Sequence, residues 1–566
     1  RFMDSAKRLP NKPMVVFEGQ EWTFAQMHEW SNHLAHFWIA QGIGHGDIVC
    51  QMLENSPDFI ANWIALMKIG ATAAFINFRL PPKALAHCLR IATARTLVFH
   101  PAFAATVDAV RADLGAATDT APACPPWATL VDGAVWRVHP ATPPPPSRTA
   151  AVDFADPAML IYTSGTTGLP KAAIVSHMRM TLAAVGFPGM YGVSESDIIH
   201  CTLPLYHASA ALIGFAQACF LGSTVVLSRR FSVSRFWAEV RESRATVVQY
   251  IGELCRYLLQ ASASAAAAAT TDHRVRIAIG SGLRPDIWEA FKRQCGIPEI
   301  GEFYASTEGT AYLFHWHRAG APGAGAVGYF GPLARVMNGI KVLRVDPDTH
   351  EMVVDSQTGY GQVAAPGEPG EMISRITNEP HKRFNGYFGD ASASEKKVLA
   401  NVFSDGDRWF RTGDLISVSA DGYYYFHDRL GDTFRWKGEN VSTTEVQEAF
   451  EGMPGLVEAN VYGVALPGTD GRAGCAALQW APGHPPPDAD ARRQLAATLR
   501  QRLPPYAVPV FLRYVPQLEH TATLKQTKVA LRHQGADPRV CADPLFVYDA
   551  GARTYVPLSA ERYVAL

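Results

Sequence analysis

Charge is scarce in this chain. Only 18% of its 566 residues are Asp, Glu, Lys or Arg, and the formal net charge is −1. A balance this even lacks the basic excess that nucleic acid attracts, so no nucleic-acid partner is expected. Cysteine is present but unpatterned. Cys50, Cys88, Cys124, Cys201, Cys219, Cys255, Cys295, Cys475 and Cys541 are scattered, no CxxC pair occurs, and the count is odd. A complete disulfide framework is excluded, and buried free thiols in a reducing compartment are expected. The histidines show no metal-ligand spacing such as HExxH. The first residue is Arg, and no signal peptide is visible. One stretch lacks charge altogether: 201–228 contains no Asp, Glu, Lys or Arg, a length that could span a bilayer. Pro204, His207, Ser209, Gly214, Gln217 and Gly222 interrupt it, so a buried helix with flanking strands explains it equally well.

Apolar residues, at 48%, are plentiful. A single core stops growing at about 250–300 residues, so two or more domains are expected. The first hundred residues alternate helix and strand. Thr23 and Gln26 form a capping box, Met27, Trp30, Leu34 and Trp38 recur at helical spacing, and Gly42 can close the helix. Residues 48–53 read as a strand, Ser56–Pro57 as a helix start, and Gly70 as its end. This βαβ logic predicts a mostly parallel sheet. Residues 114–150, with four prolines at 143–146, read as a surface connection, and 261–271 as a low-complexity stretch. An aromatic strand at 423–426 follows the Asp421–Gly422 turn. Near Asp428 the character changes, and a helical pattern starts near Ser442, so a second domain from about 430 is expected.

The sequence YTSGTTGLPK, at 162–171, carries the first chemistry. Gly165 and Gly168 permit positive φ and close backbone approach. Thr163, Ser164, Thr166 and Thr167 supply hydroxyls, and Lys171 a mobile positive charge. Together they suit a polyphosphate. It is not a GxxxxGK[ST] loop opening into a helix, because Ala172–Val175 reads as a strand, which puts the loop between strands.

Further blocks follow in order: PLYH at 204–207, GSGLR at 280–284, YASTEG at 304–309, FRTGD at 410–414, DRLGDTFRWKGEN at 428–440 and TATLKQTK at 521–528. With these, the whole chain resembles the adenylate-forming superfamily of acyl-CoA synthetases, luciferases and peptide-synthetase adenylation domains. RVRIAIGSGLRPDIW (274–288), GDTFRWKGENVSTTEV (431–446), YGVALPGTDGRAG (462–474) and DPLFVYD (543–549) make it similar to one branch, the fatty acid transport protein / very-long-chain acyl-CoA synthetase family. The resemblance implies an α/β fold. A large N-terminal domain of αβ-layered sheets with a small β-barrel-like part (1–429) would bind ATP and acid. A small mobile α+β domain (430–566) would carry the catalytic lysine.

The same resemblance implies the roles. Thr163–Lys171 would close over the β- and γ-phosphates of ATP, and Tyr304 would stack on adenine. Gly280, Gly282, Ala305 and Ser306 would complete the nucleotide site. Thr307 would touch the α-phosphate, and Glu308 would hold Mg²⁺, a hard cation suited to a carboxylate beside phosphate oxygens. Asp414 would accept from both ribose hydroxyls, and Arg429 would reach ribose or phosphate. His207 would gate the acyl pocket, with the charge-free stretch after it helping to line the tunnel. Lys525 would be the catalytic lysine, with Lys528 a competitor, because Leu524 stands where the superfamily usually has glycine. Gly431 occupies the hinge position, and Lys437, Gly438 and Glu439 would follow it toward the pantetheine path of CoA. The implied reaction joins a long or very long fatty acid to CoA through acyl-AMP. Alternatives are a membrane-associated uptake protein that couples transport to acylation, an acyl-AMP ligase loading a carrier protein, and a ligase for bile-acid-like carboxylates. The expected location is cytoplasmic, with peripheral association at the inner face of a membrane as the variant.

Overall fold

The computed structural model describes residues 1–80, 82–114, 127–128, 136–163, 169–262, 271–346, 351–430, 434–436, 439–466, 471–484, 487–520 and 526–564. The chain divides into two compact units. The first comprises residues 1–337, 374–401 and 405–410; the second comprises 338–373, 402–404 and 411–566.

Fourteen strands build two sheets in the first unit. In chain order they are β1 (Pro13–Phe17), β2 (Gln20–Thr23), β3 (Ile48–Met52), β4 (Thr72–Phe75), β5 (Thr96–Phe99), β6 (Trp127–Ala128), β7 (Pro157–Thr163), β8 (Lys171–Ser176), β9 (Ile198–Cys201), β10 (Thr224–Leu227), β11 (Val247–Ile251), β12 (Ile277–Ser281), β13 (Glu299–Ala305) and β14 (Tyr312–His317). One sheet runs β6-β5-β3-β4-β7-β8, the other β14-β13-β12-β11-β9-β10-β1-β2. Both are parallel at the centre, and β8, β14 and β2 are antiparallel edges. The expected βαβ logic holds for a local reason. Thr23 forms the capping box that starts the helix Phe24–Ala40, and Ser56 caps Pro57–Lys68 with Pro57 in its first turn. These helices connect strands whose every residue is buried in β3 and β4, as parallel strands covered on both faces require.

The charge-free stretch 201–228 is not one helix. β9 ends at Cys201, a π-helix covers Ala210–Phe215, an α-helix covers Ala216–Leu221, and β10 follows. All six π-helical residues are buried. Among the described residues no helix is long and apolar enough to cross a membrane. The eight described cysteines are free and buried, as expected.

In the second unit a five-stranded sheet orders Leu456–Val464, Ala473–Trp480, Phe511–Val515, Leu545–Asp549 and Thr554–Pro557. It belongs to a hydrophobic core whose members run from Phe434 to Tyr563. The same unit also contains the strand Tyr423–Arg429, which pairs antiparallel with residues 414–418.

Candidate active site

The candidate residues of the first unit gather where parallel strands end. Gly282 follows β12 and Ser306–Thr307–Glu308 follow β13 in one sheet, and Thr163 ends β7 in the other. The crevice beyond the carboxyl ends of such strands is where open α/β sheets bind ligands. Thr163 pairs with Lys171 across β7 and β8, so the phosphate-loop candidate does lie between strands. Ser164, Gly165, Thr166, Thr167 and Gly168 lie outside the described residues.

Tyr387 is the residue around which this part is built. Its hydroxyl donates to Glu308 Oε1 at 2.9 Å. The Lys171 ammonium lies 5.3 Å from the centre of its ring. Burial and the neighbouring Glu308 carboxylate push the Tyr387 hydroxyl far above its ordinary range, so it stays a donor. The Lys397 ammonium stands 3.8 Å from Glu308 Oε1. Arg179 donates to the Ser306 carbonyl oxygen, and its burial lowers the guanidinium to about 10 against the attraction of Glu308. Sequence reading missed Tyr387, Lys397 and Arg179, because nothing in their local strings distinguishes them.

A second cluster surrounds the glycines of GSGLR. A Cβ on Gly280 would lie 2.2 Å from the Tyr250 carbonyl oxygen, so only glycine fits there. Gly282 has φ +79°, and its N–H donates to Glu302 Oε1 at 2.5 Å. The Tyr250 hydroxyl also donates to Glu302. Glu302 is fully buried, and burial pushes its carboxyl up to about 8 in spite of these donors. Alternation along β13 puts Glu302 and the half-buried Tyr304 on one face, with exposed Ala305 on the other. Glu302 was also missed; a carboxylate at a core-facing position of the strand was the available signal. His207 sits in a turn closed by its N–H on the Pro204 carbonyl at 3.0 Å, with its ring 4.5 Å from that of Tyr206.

In the second unit Asp414 and Arg429 face each other across an antiparallel pair, with Arg429 Nε 3.5 Å from Asp414 Oδ1. The Asp414 N–H donates to Thr412 Oγ1, and Thr412 Oγ1 donates to the Met372 carbonyl. Gly431, Lys437, Gly438 and Lys525 lie outside the described residues, and Glu439 is described only as the start of the strand Glu439–Val441. Lys528 donates to Thr443 Oγ1 at 2.7 Å.

For a metal, the described residues contain no group of three or more His, Cys, Asp or Glu. Glu308 offers a hard carboxylate oxygen here. One carboxylate plus substrate phosphates is the way Mg²⁺ is commonly held, so the donor set fits that ion and not a dedicated metal cage.

The family described as AMP-binding enzyme matches residues 2–378, and the family described as AMP-binding enzyme C-terminal domain matches 445–525. Long-chain fatty acid transport protein 1 of Mus musculus is 40% identical over 570 residues, covering 98% of this chain and 85% of that protein. Its Homo sapiens counterpart is 40% identical over 578 residues, covering 100% and 86%. The o-succinylbenzoate CoA synthetase of Bacillus subtilis, solved with its acyl-adenylate intermediate, shares the fold with a TM-score of 0.74 at 22% identity, covering 94% of this chain and 97% of that one. The fold is therefore that of the adenylate-forming enzymes, with sheets in a large N-terminal domain and a smaller C-terminal domain. The chain belongs to the AMP-binding enzyme family, in the branch of the long-chain fatty acid transport proteins.

Proposed function

We propose that this enzyme is an ATP-dependent long-chain or very-long-chain fatty acid–CoA ligase, an AMP-forming acid–thiol ligase working through acyl-AMP. One observation carries the reading: Tyr387 brings together Lys171 of the phosphate-loop candidate and Glu308 of the YASTEG candidate, groups far apart in sequence. A cation for phosphate oxygens and a carboxylate for Mg²⁺ are the two charges that nucleotide activation of an acid requires.

In the first step the acid's carboxylate attacks the α-phosphate of ATP, and pyrophosphate leaves. Mg²⁺, when bound, neutralises phosphate charge. Glu308 would hold it, oriented by the Tyr387 hydroxyl. Lys171 and the loop 163–168 would bind the β- and γ-phosphates. Tyr304 would stack on adenine beside the end of β12, where Gly280 and Gly282 lie, and Ala305, Ser306 and Thr307 would lead the strand end to the α-phosphate. Asp414 and Arg429 would hold the ribose. Lys525 would balance charge on the reacting phosphate; Lys528 is a weaker choice because it already bonds Thr443.

In the second step CoA thiol attacks the acyl carbonyl, and AMP leaves. We assign 1–429 to nucleotide and acid binding and 430–566 to a mobile domain turning at Gly431. A core confined to 434–563 supports that division. The turn would bring Lys437, Gly438 and Glu439 to the pantetheine path. Peripheral attachment to a membrane face belongs to the same reading.

Purified protein with ATP, Mg²⁺, CoA and acids of graded length tests this. Acyl-CoA, AMP and pyrophosphate in equal amounts are expected. ADP and phosphate, or acyl transfer to a carrier protein without reaction on CoA, would overturn it. The relatives are long-chain fatty acid transport proteins by name, which favours a second reading, uptake of fatty acid coupled to its acylation. Uptake by cells expressing Glu308→Ala would separate transport from catalysis.

A further inference from the structure

Glu308 stands among more positive charge than it neutralises. Lys397 Nζ lies 3.8 Å from its Oε1. Lys171 Nζ lies 5.3 Å from the centre of the Tyr387 ring, whose hydroxyl donates to that same oxygen. The Glu308 carboxylate also attracts the buried Arg179 guanidinium. Asp390 is the other carboxylate whose charge reaches Tyr387. Among these groups three cations face two carboxylates. A fixed excess of this kind suits a polyanion.

The position of Lys397 is local in origin. Asp390 caps the helix Ala391–Glu395 by accepting from the Ala393 N–H at 2.9 Å. Ser394 of that helix accepts the Tyr387 N–H on its Oγ at 2.9 Å and the Lys397 N–H on its carbonyl at 3.1 Å. One short helix therefore ties down both the residue that orients Glu308 and the cation beside it. The Lys397 ammonium lies 5.8 Å from the centre of the buried Phe410 ring, and its side chain is 28% exposed. An ion pair this long and this open to water is weak, and lysine is a point charge on a flexible stem. Lys397 is thus held near Glu308 without being locked to it.

We propose that Lys397 is a further catalytic cation: it is the counter-ion of Glu308 in the free enzyme, yields that carboxylate to Mg²⁺, and then binds the β- and γ-phosphates that leave as pyrophosphate. The proposal rests on the ligase reading above and adds a phosphate ligand to it. Phosphate oxygens drawn to a divalent cation on Glu308 come within reach of an ammonium that starts 3.8 Å from the same carboxylate. When the bond from the α-phosphorus to the bridging oxygen breaks, its electron pair stays on pyrophosphate. A second ammonium beside that of Lys171 stabilises the charge that develops there. A residue that only kept this turn in shape would, when replaced, weaken metal and phosphate binding together. A competing counter-ion makes the two move in opposite directions.

The test compares Lys397→Met, which removes the charge at similar length, with Lys397→Arg, which keeps it. Mn²⁺ binding to the nucleotide-free enzyme, followed by electron paramagnetic resonance, should tighten at least threefold in Lys397→Met. Binding of pyrophosphate in the presence of Mg²⁺, followed by calorimetry, should weaken at least tenfold in the same variant. Its acid-dependent exchange of pyrophosphate into ATP should slow at least tenfold, with KM for the acid within twofold of the parent. Lys397→Arg should stay within threefold of the parent in both binding measurements. Lys397→Gln replaces Lys397→Met if the melting curve shows that the latter has not folded. The proposal is overturned if Mn²⁺ binds the uncharged variant no more tightly than the parent, if pyrophosphate affinity is unchanged, or if Lys397→Arg behaves as Lys397→Met does. Neither binding measurement needs turnover. A parent enzyme that exchanges pyrophosphate with no acid overturns the ligase reading, while the two binding ratios still decide whether Lys397 trades Glu308 for phosphate.

Discussion

Tyr387→Phe removes one oxygen atom and leaves the ring. The ring's contact with Lys171 therefore survives, and only the hydrogen bond to Glu308 is lost. A hydrogen bond to a charged group contributes about 1.5–3 kcal/mol. The Glu308 side chain is 11% exposed, so water replaces the lost donor poorly. Lys397, at 3.8 Å and 28% exposed, offsets part of the loss. A net effect of about 1–2 kcal/mol on the placement of Glu308 remains, a fall of roughly 5- to 30-fold in kcat/KM for adenylation. The assay is pyrophosphate release at varied Mg²⁺, and excess Mg²⁺ should recover part of the loss. The free energy of urea unfolding should fall by no more than that same amount, about 1–2 kcal/mol, since shape is kept. A kcat/KM within twofold of the parent enzyme would refute the claim that Tyr387 orients Glu308.

Three further outcomes follow from named contacts. Gly280→Ala puts a Cβ 2.2 Å from the Tyr250 carbonyl, so backbone must move. Urea unfolding should show a loss of about 2 kcal/mol or more, and an unchanged midpoint would contradict the contact. Glu302 is held at about 8 against an ordinary 4.5, so between those values the native state binds more protons than the unfolded state. Stability from this group is therefore complete below about 4.5 and declines as pH rises through about 8. Urea midpoints of Glu302→Gln should show less of that decline, and an identical pH profile would count against it. Asp428 accepts from Thr443 N at 2.9 Å, Thr443 Oγ1 at 3.1 Å and Ser442 Oγ at 3.2 Å, across the proposed hinge. Asp428→Ala should change the ratio of the adenylation and thioester rates at least fivefold; a constant ratio would show that these bonds do not govern the turn.

The fold was legible where local chemistry decides it. The Thr23 capping box, the Ser56–Pro57 start and the strand after Lys171 all stand where their residue types predict. The site was legible only in part. Gly280 and Glu308 lie in ordered motifs, whereas Tyr387, Lys397 and Arg179 act through proximity that the folded chain creates. FNGYFGD, around Tyr387, reads by itself as a turn. The π-helix at Ala210–Phe215 had no signal either, because absence of charge says that a segment is buried but not how its backbone is wound.

The central claim is that this chain adenylates a carboxylic acid. Exchange of labelled pyrophosphate into ATP, measured without CoA, tests it most directly. Exchange should require Mg²⁺ and a long-chain acid and should fall at least a hundredfold in Glu308→Ala. Exchange that ignores the acid, or none with any acid offered, would contradict it.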